Sequence, residues 1–420
     1  MSIPDEVIEA IRARADIAAV VSRYVTLKKR GRSFVGLCPF HAEKTPSFSV
    51  FPERNSWHCF GCGAGGNVFT FLMRIDGLTF PEAVERLGRE TGIEVQRDPE
   101  SQARRGLRQQ VFDVNKAAAE FFSAQLQSNA VAQAFVRRRG LTPETVQALG
   151  LGYAPEAWDA LASTLLRRGF PGPLLEQAGL ARPRESGSYY DLFRHRLIFP
   201  IRDVEGRVVA FGGRALGDVQ PKYLNSAETP VFDKGRTLYG LDQARRAIAA
   251  AGEAIVVEGY MDAAIAQQAG VENVVATLGT ALGPNHLQLL RRYAPRVVLA
   301  YDGDAAGAAA AERSLALFED AEMEGRILVL PAGRDPDEFI REQGAEAFRD
   351  AARQALPLVE FQLRRLTERA EHATPEGRAA LAQAVAPVLA GIRSPVKREE
   401  YVRRLAEEWC AGQLYRVRDM

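Results

Sequence analysis

The sequence is short of cysteine, with four in 420 residues, and nearly as short of histidine, with five. That excludes a disulfide-built secreted scaffold, which needs a dense, even cysteine set in a short chain. No apolar run approaches the ~20 residues that cross a bilayer as a helix, so no membrane span is expected. The opening MSIPDEVIEAIRARADIAAVV carries charges throughout. It reads as an amphipathic helix over 1–25, not as a secretory leader. The chain therefore reads as cytoplasmic, where reduced thiols favour metal binding over disulfides. Net charge is nearly absent as well: 54 basic residues face 53 acidic ones, so bulk charge names no partner. No lysine follows a glycine, which leaves no Gly-Lys-Ser/Thr phosphate loop and excludes a motor of that type. Repeats and low-complexity tracts are missing too.

What is there supports two or three ordinary domains, given the length and a 46% hydrophobic content. Cys38-x-x-His41 is followed after seventeen residues by Cys59-x-x-Cys62. Two ligand pairs at that separation, joined by a hairpin-sized insert, can close a tetrahedron of thiolates and imidazole around one structural Zn²⁺. His58 is the alternative to His41. Cys410 stands alone on a helical stretch and reads as a small core residue. Short aromatic strands separated by Pro, Asn and Gly turns fill 32–62. Phe34, Phe40, Phe48, Phe51, Trp57 and Phe60 exceed what a zinc ribbon can bury, so some are expected at the surface. Exposed rings beside lysine and arginine can stack on unpaired bases; a tight aromatic core is the competing reading. Residues 22–62 carry Arg23, Lys28, Lys29, Arg30, Arg32, Lys44 and Arg54 against Glu43 and Glu53. That is a nucleic-acid footprint or a solvated basic face.

The polar, aperiodic stretch QRDPESQARRG over 96–106 reads as a linker. From 253 onward, short apolar runs alternate with helical patterns: AIVVEG, VVATLG, RVVLAYDG and RILVLP are strands of a parallel βαβ sheet. Three acid groups fall at the ends of these strands: Glu258 with Asp262, Asp302 with Asp304, and Asp335 with Asp337. Open parallel sheets use the carboxyl ends of their strands for function. Carboxylates brought together there need a cation, and oxygen ligands suit Mg²⁺, or Mn²⁺, in phosphoryl transfer. Residues 192–236 are rich in cations, among them Arg194, Arg202, Arg214, Lys222 and Lys234. Beside a carboxylate–metal site these would hold triphosphates and a template backbone; surface salt bridging is the bland reading.

CPFHAEKTPSFSV with SWHCFGCGAGGNV resembles the zinc-binding domain of bacterial DnaG-type primases. RHRLIFPIRD, FGGRAL, PKYLNSAET and FDKGRTLYGL resemble the blocks of that family's RNA polymerase domain. VVEGYMD, AYDGDAAG and GRDPDEF resemble the three acidic motifs of its TOPRIM fold. The resemblance implies an α+β multidomain chain. Its parts are a zinc-ribbon domain (1–98), a linker (99–110), the N-terminal part of a polymerase domain (111–252), a TOPRIM parallel-sheet core (253–340) and a helical end (341–420). It implies RNA primer synthesis on single-stranded DNA from ribonucleoside triphosphates. Glu258, Asp302 and Asp304 would be catalytic, and Asp262, Asp335 and Asp337 would be further metal ligands. Arg139, Arg214, Lys222, Asn225 and Lys234 would contact nucleotide and template. The family also docks the replicative helicase, but nothing in this chain is recognised as the docking domain, which is expected to be absent. The competing classes are a DNA-binding module with structural acids, and a nuclease or topoisomerase built on the same acidic fold.

Overall fold

The computed structural model describes residues 3–418 apart from 42, 44, 96–98, 219, 302–313, 332–333 and 370–373. It divides into two compact units, 1–106 and 107–420.

The first unit opens with two helices where one was expected, α1 (Asp5–Arg14) and α2 (Ile17–Ser22). The break has a local cause. Asp16 accepts hydrogen bonds from the N–H groups of Ala18 and Ala19 and so caps a new helix. Five strands follow: β1 (Lys28–Arg30), β2 (Ser33–Gly36), β3 (Phe48–Phe51), β4 (Ser56–Cys59) and β5 (Gly65–Asn67). They form one antiparallel sheet in chain order. Two helices follow, α3 (Val68–Ile75) and α4 (Phe80–Thr91). Its core is aromatic: Phe48 and Trp57 are fully buried and stack at 5.3 Å, with Phe71 edge-on to Trp57 at 5.9 Å.

Residues 99–110, expected as an irregular linker, begin the long helix α5 (Pro99–Ser128). Polar side chains without apolar periodicity mark a solvated helix face as readily as a loop. Glu, Gln, Ala and Arg are good helix formers, and Pro99 suits a first turn.

The second unit continues with α6 (Ala130–Arg138), α7 (Pro143–Leu149), β6 (Gly152–Ala154), α8 (Ala160–Arg167) and α9 (Gly172–Gln177). A small hairpin, β7 (Ala181–Pro183) and β8 (Tyr189–Asp191), precedes β9 (Arg196–Arg202), β10 (Val208–Ala215) and β11 (Tyr223–Asn225). The last three join β6 in an antiparallel sheet of order β11-β10-β9-β6. A 3₁₀ turn (Lys234–Arg236) and α10 (Leu241–Ala251) lead into β12 (Glu253–Val257), α11 (Tyr260–Gln268), β13 (Val274–Ala276) and α12 (Pro284–Leu290). Then come β14 (Arg296–Tyr301), α13 (314–320), β15 (Glu324–Val329), α14 (Pro336–Arg353) and β16 (Leu356–Pro357).

The sheet order is β13-β12-β14-β15-β16, parallel except for β16. Residues 297–301 of β14 are all buried, as a strand covered by helices on both faces must be. The chain ends in α15 (Leu358–Arg369), α16 (Pro375–Ala390) and α17 (Pro395–Arg418). The architecture is thus a zinc-ribbon unit and a mixed α/β unit with a parallel core and a helical end.

Candidate functional site

In the first unit, Cys59 closes β4 and Cys62 lies in the turn after it, while Cys38 and His41 lie in the turn after β2. One ligand atom of each comes within 4.8 Å of all the others. Cys38 Sγ is 4.0 Å from Cys62 Sγ, and Cys59 Sγ is 3.8 Å from His41 Nδ1. A tetrahedral zinc with bonds of about 2.0–2.3 Å sets its ligand atoms roughly 3.5–3.8 Å apart. The four residues fit zinc and fill its coordination. His58, the alternative ligand, lies edge-on to Phe60 at 4.7 Å and is not among the converging four. Gly61 makes the approach possible: a Cβ there would meet Ser47 Oγ at 2.7 Å and His41 Nε2 at 2.8 Å.

A residue that spacing did not reveal organises this cluster. Glu43 Oε1 accepts from the backbone N–H of Cys38 at 2.7 Å and of Ser47 at 3.2 Å. Its Oε2 accepts from Ser47 Oγ at 2.5 Å and lies 3.3 Å from His41 Nε2. The carboxylate thus holds the outer nitrogen of His41 and leaves Nδ1 facing the thiols, the arrangement by which a second shell orients a metal-bound imidazole. Burial raises the Cys59 thiol, but hydrogen bonds from Ser47 and from the backbone of Cys62 and Gly61 outweigh it and hold the group at about 6. Burial and the neighbouring thiols push Cys38 up to about 11. A cation sharing the site favours the thiolate form of Cys38 that burial opposes. Of the aromatic residues, Phe48 and Trp57 belong to the core, whereas Phe60 is 71% exposed.

In the second unit, Asp262, Asp335 and Asp337 each bring a carboxylate oxygen within 4.8 Å of the others. Two helix N-termini put them there. Asp262 lies in the first turn of α11, where Oδ2 accepts from Gly259 N at 3.1 Å. Asp335 caps α14, with Oδ1 accepting from Glu338 N at 3.0 Å. The two ends are tied together, because Asp262 Oδ1 also accepts from Asp337 N at 3.2 Å. The partial positive charge at helix N-termini offsets part of the crowding of anions. It does not remove it: burial and the adjacent Asp337 push the Asp335 carboxyl up to about 6. Arg341, one turn beyond Asp337, donates to Asp337 Oδ1 at 2.9 Å. The i,i+4 spacing of the pair is its signal in the sequence. Glu258 sits exposed one residue past β12 and is not one of the three. Asp302 and Asp304 lie outside the described residues, as does the side chain of Cys410.

The cations divide into two kinds. Arg139 and Arg214 lie over the same Phe135 ring, at 5.6 and 5.7 Å, and Arg214 Nη1 donates to Tyr223 Oη at 2.8 Å. Arg139 Nε has no hydrogen-bond partner among the described residues. Burial and the Arg214 cation make the Arg139 guanidinium more acidic, and Asp337 partly compensates. Two adjoining guanidiniums, of which Arg139 also feels Asp337, form a place for an anion next to a place for a cation. Lys222 is exposed and Lys234 half-buried. Other expected contacts are engaged with the fold itself. Arg202 donates to the Gly206 carbonyl at 3.0 Å. Arg194 lies over Trp158 at 4.3 Å and bonds the Asp191 carbonyl. Asn225 accepts from Tyr260 Oη at 2.7 Å and donates to the Leu278 carbonyl at 2.7 Å.

Comparison with known proteins follows this division. Residues 3–103 match the family model described as the CHC2 zinc finger, and 121–245 match the DNA primase catalytic core, N-terminal domain. Residues 255–340 match a Toprim-like model, and 359–408 the DnaB-helicase binding domain of primase. That last match overturns the expectation that no docking domain is present. The helices α15–α17 lack a short polar motif of their own, so pattern alone did not distinguish them.

The chain is 43% identical over 413 residues to a DNA primase of Halalkalibacterium halodurans, covering 97% of this chain and 69% of that protein. It is 43% identical over 417 residues to a DNA primase of Pseudomonas aeruginosa, covering 96% of this chain and 63% of that one. Among solved structures, the zinc-binding and RNA polymerase domains of the Aquifex aeolicus primase align over 98% of this chain and 97% of that one. The identity is 34% and the TM-score 0.63. A DnaG primase catalytic domain bound to single-stranded DNA aligns over 72% of this chain and 99% of that one, at 37% identity and a TM-score of 0.64.

Proposed function

This chain belongs to the family of bacterial DNA primases, and on that premise we propose that it is a DNA-directed RNA polymerase that starts short RNA chains de novo on single-stranded DNA. The observation that carries the reading is the carboxylate cluster of Asp262, Asp335 and Asp337 at two helix N-termini, with the Arg139–Arg214 pair coupled to it.

In the reaction, the 3′-hydroxyl of one ribonucleotide forms a bond to the α-phosphorus of the next, and the bond to pyrophosphate breaks. We assign Glu258 to receive the hydroxyl proton. Asp262, Asp335 and Asp337, joined by Asp302 and Asp304, would hold Mg²⁺ or Mn²⁺, which when bound supplies charge neutralisation on the transferring phosphate. Arg139 and Arg214 would take the triphosphate, and Lys222 and Lys234 the template or incoming nucleotide. The zinc unit would grip the template, its exposed Phe60 stacking on an unpaired base.

The likeness of 359–408 to a helicase-binding domain supports a replicative helicase as partner. No helix among the described residues is long and apolar enough to cross a membrane, and we place the activity in the cytoplasm.

The test is RNA synthesis from ribonucleotides on single-stranded DNA with Mg²⁺, comparing the parent with Asp337→Asn. Short RNA from the parent alone, with DNA binding kept by the variant, supports the reading. Equal synthesis by both, or none from the parent on any template, overturns it.

A further inference from the structure

Lys234 sits in a turn whose own hydrogen bonds are all local and run to Asp233: Arg236 N and Thr237 Oγ1 both donate to the Asp233 carbonyl, at 3.1 and 2.8 Å. It opens a single 3₁₀ turn, Lys234–Arg236, whose side-chain cap is Asp233 Oδ1 accepting from Gly235 N at 2.8 Å. Beneath that turn lies His286, 1% exposed, on α12. Its two nitrogens have opposite jobs. Nδ1 accepts from the backbone N–H of Gly283 at 3.1 Å, which caps α12. Nε2 lies 2.8 Å from the main-chain carbonyl of Lys234. A carbonyl only accepts, so Nε2 carries the proton and Nδ1 does not: the neutral ring is locked in one tautomer by its two partners. The ring reaches 52 residues back along the chain to hold the carbonyl of Lys234, itself half-buried.

From this geometry we propose that His286 is a positioning residue for Lys234. The inference rests on the reading of Lys234 as a nucleotide or template contact. The bond to the carbonyl sets where the Lys234 Cα sits, and hence the cone its flexible side chain sweeps. Without it, the turn keeps only local hydrogen bonds. The ammonium then samples a wider volume, and its encounter with a bound phosphate loses orientation. A helix cap alone would need only the acceptor: an asparagine or aspartate at this position would serve. The outer donor, buried and aimed at Lys234, is what a cap leaves unexplained.

The two jobs can be separated by substitution. In His286→Asn the amide oxygen can stand where Nδ1 stood and keep the Gly283 cap, but nothing reaches Lys234. In His286→Gln the amide nitrogen can stand where Nε2 stood and keep the carbonyl bond, but the cap acceptor is lost. The experiment measures KM for ribonucleotides and kcat in primer synthesis, together with thermal unfolding, for both variants. It repeats His286→Asn in a Lys234→Ala background.

The expected result is that His286→Asn melts as the parent does yet raises KM about three- to tenfold, with kcat nearly unchanged. His286→Gln should recover most of that KM. In the Lys234→Ala background His286→Asn should add nothing further, the mark of two residues acting on one interaction. Parent-like KM in His286→Asn while Lys234→Ala is impaired overturns the role of His286 and leaves that of Lys234 standing. An equal KM penalty in both backgrounds overturns it too. A silent Lys234→Ala removes the premise, and the inference falls with it.

Discussion

Glu43 offers the sharpest test of how the zinc unit is built. The substitution is Glu43→Gln, which keeps size and removes charge. The side chain makes four contacts, two through each oxygen. The pair of backbone bonds from Cys38 N and Ser47 N to Oε1 can be kept by the amide oxygen. At Oε2, Ser47 Oγ at 2.5 Å can turn from donor to acceptor, but the contact facing His41 Nε2 at 3.3 Å cannot be kept. An amide NH₂ there would point a donor at the N–H that His41 must carry when Nδ1 binds metal. His41 then loses its orienting acceptor and part of its basicity, and losses of that kind cost about ten- to hundredfold in metal affinity. The assay is a competition titration of zinc against a chromophoric chelator of known affinity. Thermal unfolding of the zinc-loaded protein serves as the check that the fold survives. The backbone of the turn should be intact in Glu43→Gln and damaged in Glu43→Ala, where the two N–H groups are left without partners. Zinc affinity within twofold of the parent in Glu43→Gln would refute the assignment of Glu43 as the group that orients His41.

Two further expectations concern the second unit. Burial lifts the Asp191 carboxyl to about 6 even though it accepts two backbone N–H bonds, from Leu161 and Ala162, at 2.8 Å each. An unfolded aspartate titrates near ~3.9, so between those values the folded chain binds the proton that the unfolded chain releases. Stability from this group is therefore present at low pH and is lost as pH rises through 6. The span is at most about 3 kcal/mol. Denaturant unfolding of the parent minus Asp191→Asn should show this slope between pH 4 and 6.5, and a flat difference would refute it. Gly212 packs against an aromatic ring, since a Cβ there would lie 2.5 Å from Tyr260 Cζ and 2.6 Å from its hydroxyl oxygen. Gly212→Ala should lower stability by about 1–3 kcal/mol through overpacking, and an unchanged melting temperature would count against that close approach.

Some of this molecule is written locally and some is not. The zinc ligands are legible because a four-ligand site needs its residues in close pairs, and pair spacing survives in one dimension. The parallel core is legible because buried strands must be continuously apolar and their helices amphipathic. The acids stand out because they fall where those strands end. Elsewhere the decisive partner is distant. Whether Asn225 meets a nucleotide or braces Tyr260 depends on a helix 35 residues away, and nothing in its neighbours says which. The break at Asp16 turns on one side chain outbidding a helical hydrogen bond. The opening of α5, at 99–107, shows the opposite failure: a run of polar helix formers can be helical without an apolar stripe, so absence of periodicity there was no evidence of a loop. Glu43, two residues beyond His41, shows in the sequence only as a charge, because its four hydrogen-bonding partners are set by the fold of the turn.

The tie through Asp262 has a mechanical consequence. One carboxylate is bonded at one oxygen to Gly259, the residue after Glu258, and at the other to Asp337, which lies 75 residues further on. The two halves of the acidic crevice are thus riveted in series, not merely set side by side. A pull on Asp337 is transmitted as strain to the loop that carries Glu258. Loading one edge of the crevice would set the tension on the other, so a defect in the rivet should loosen groups that it never touches.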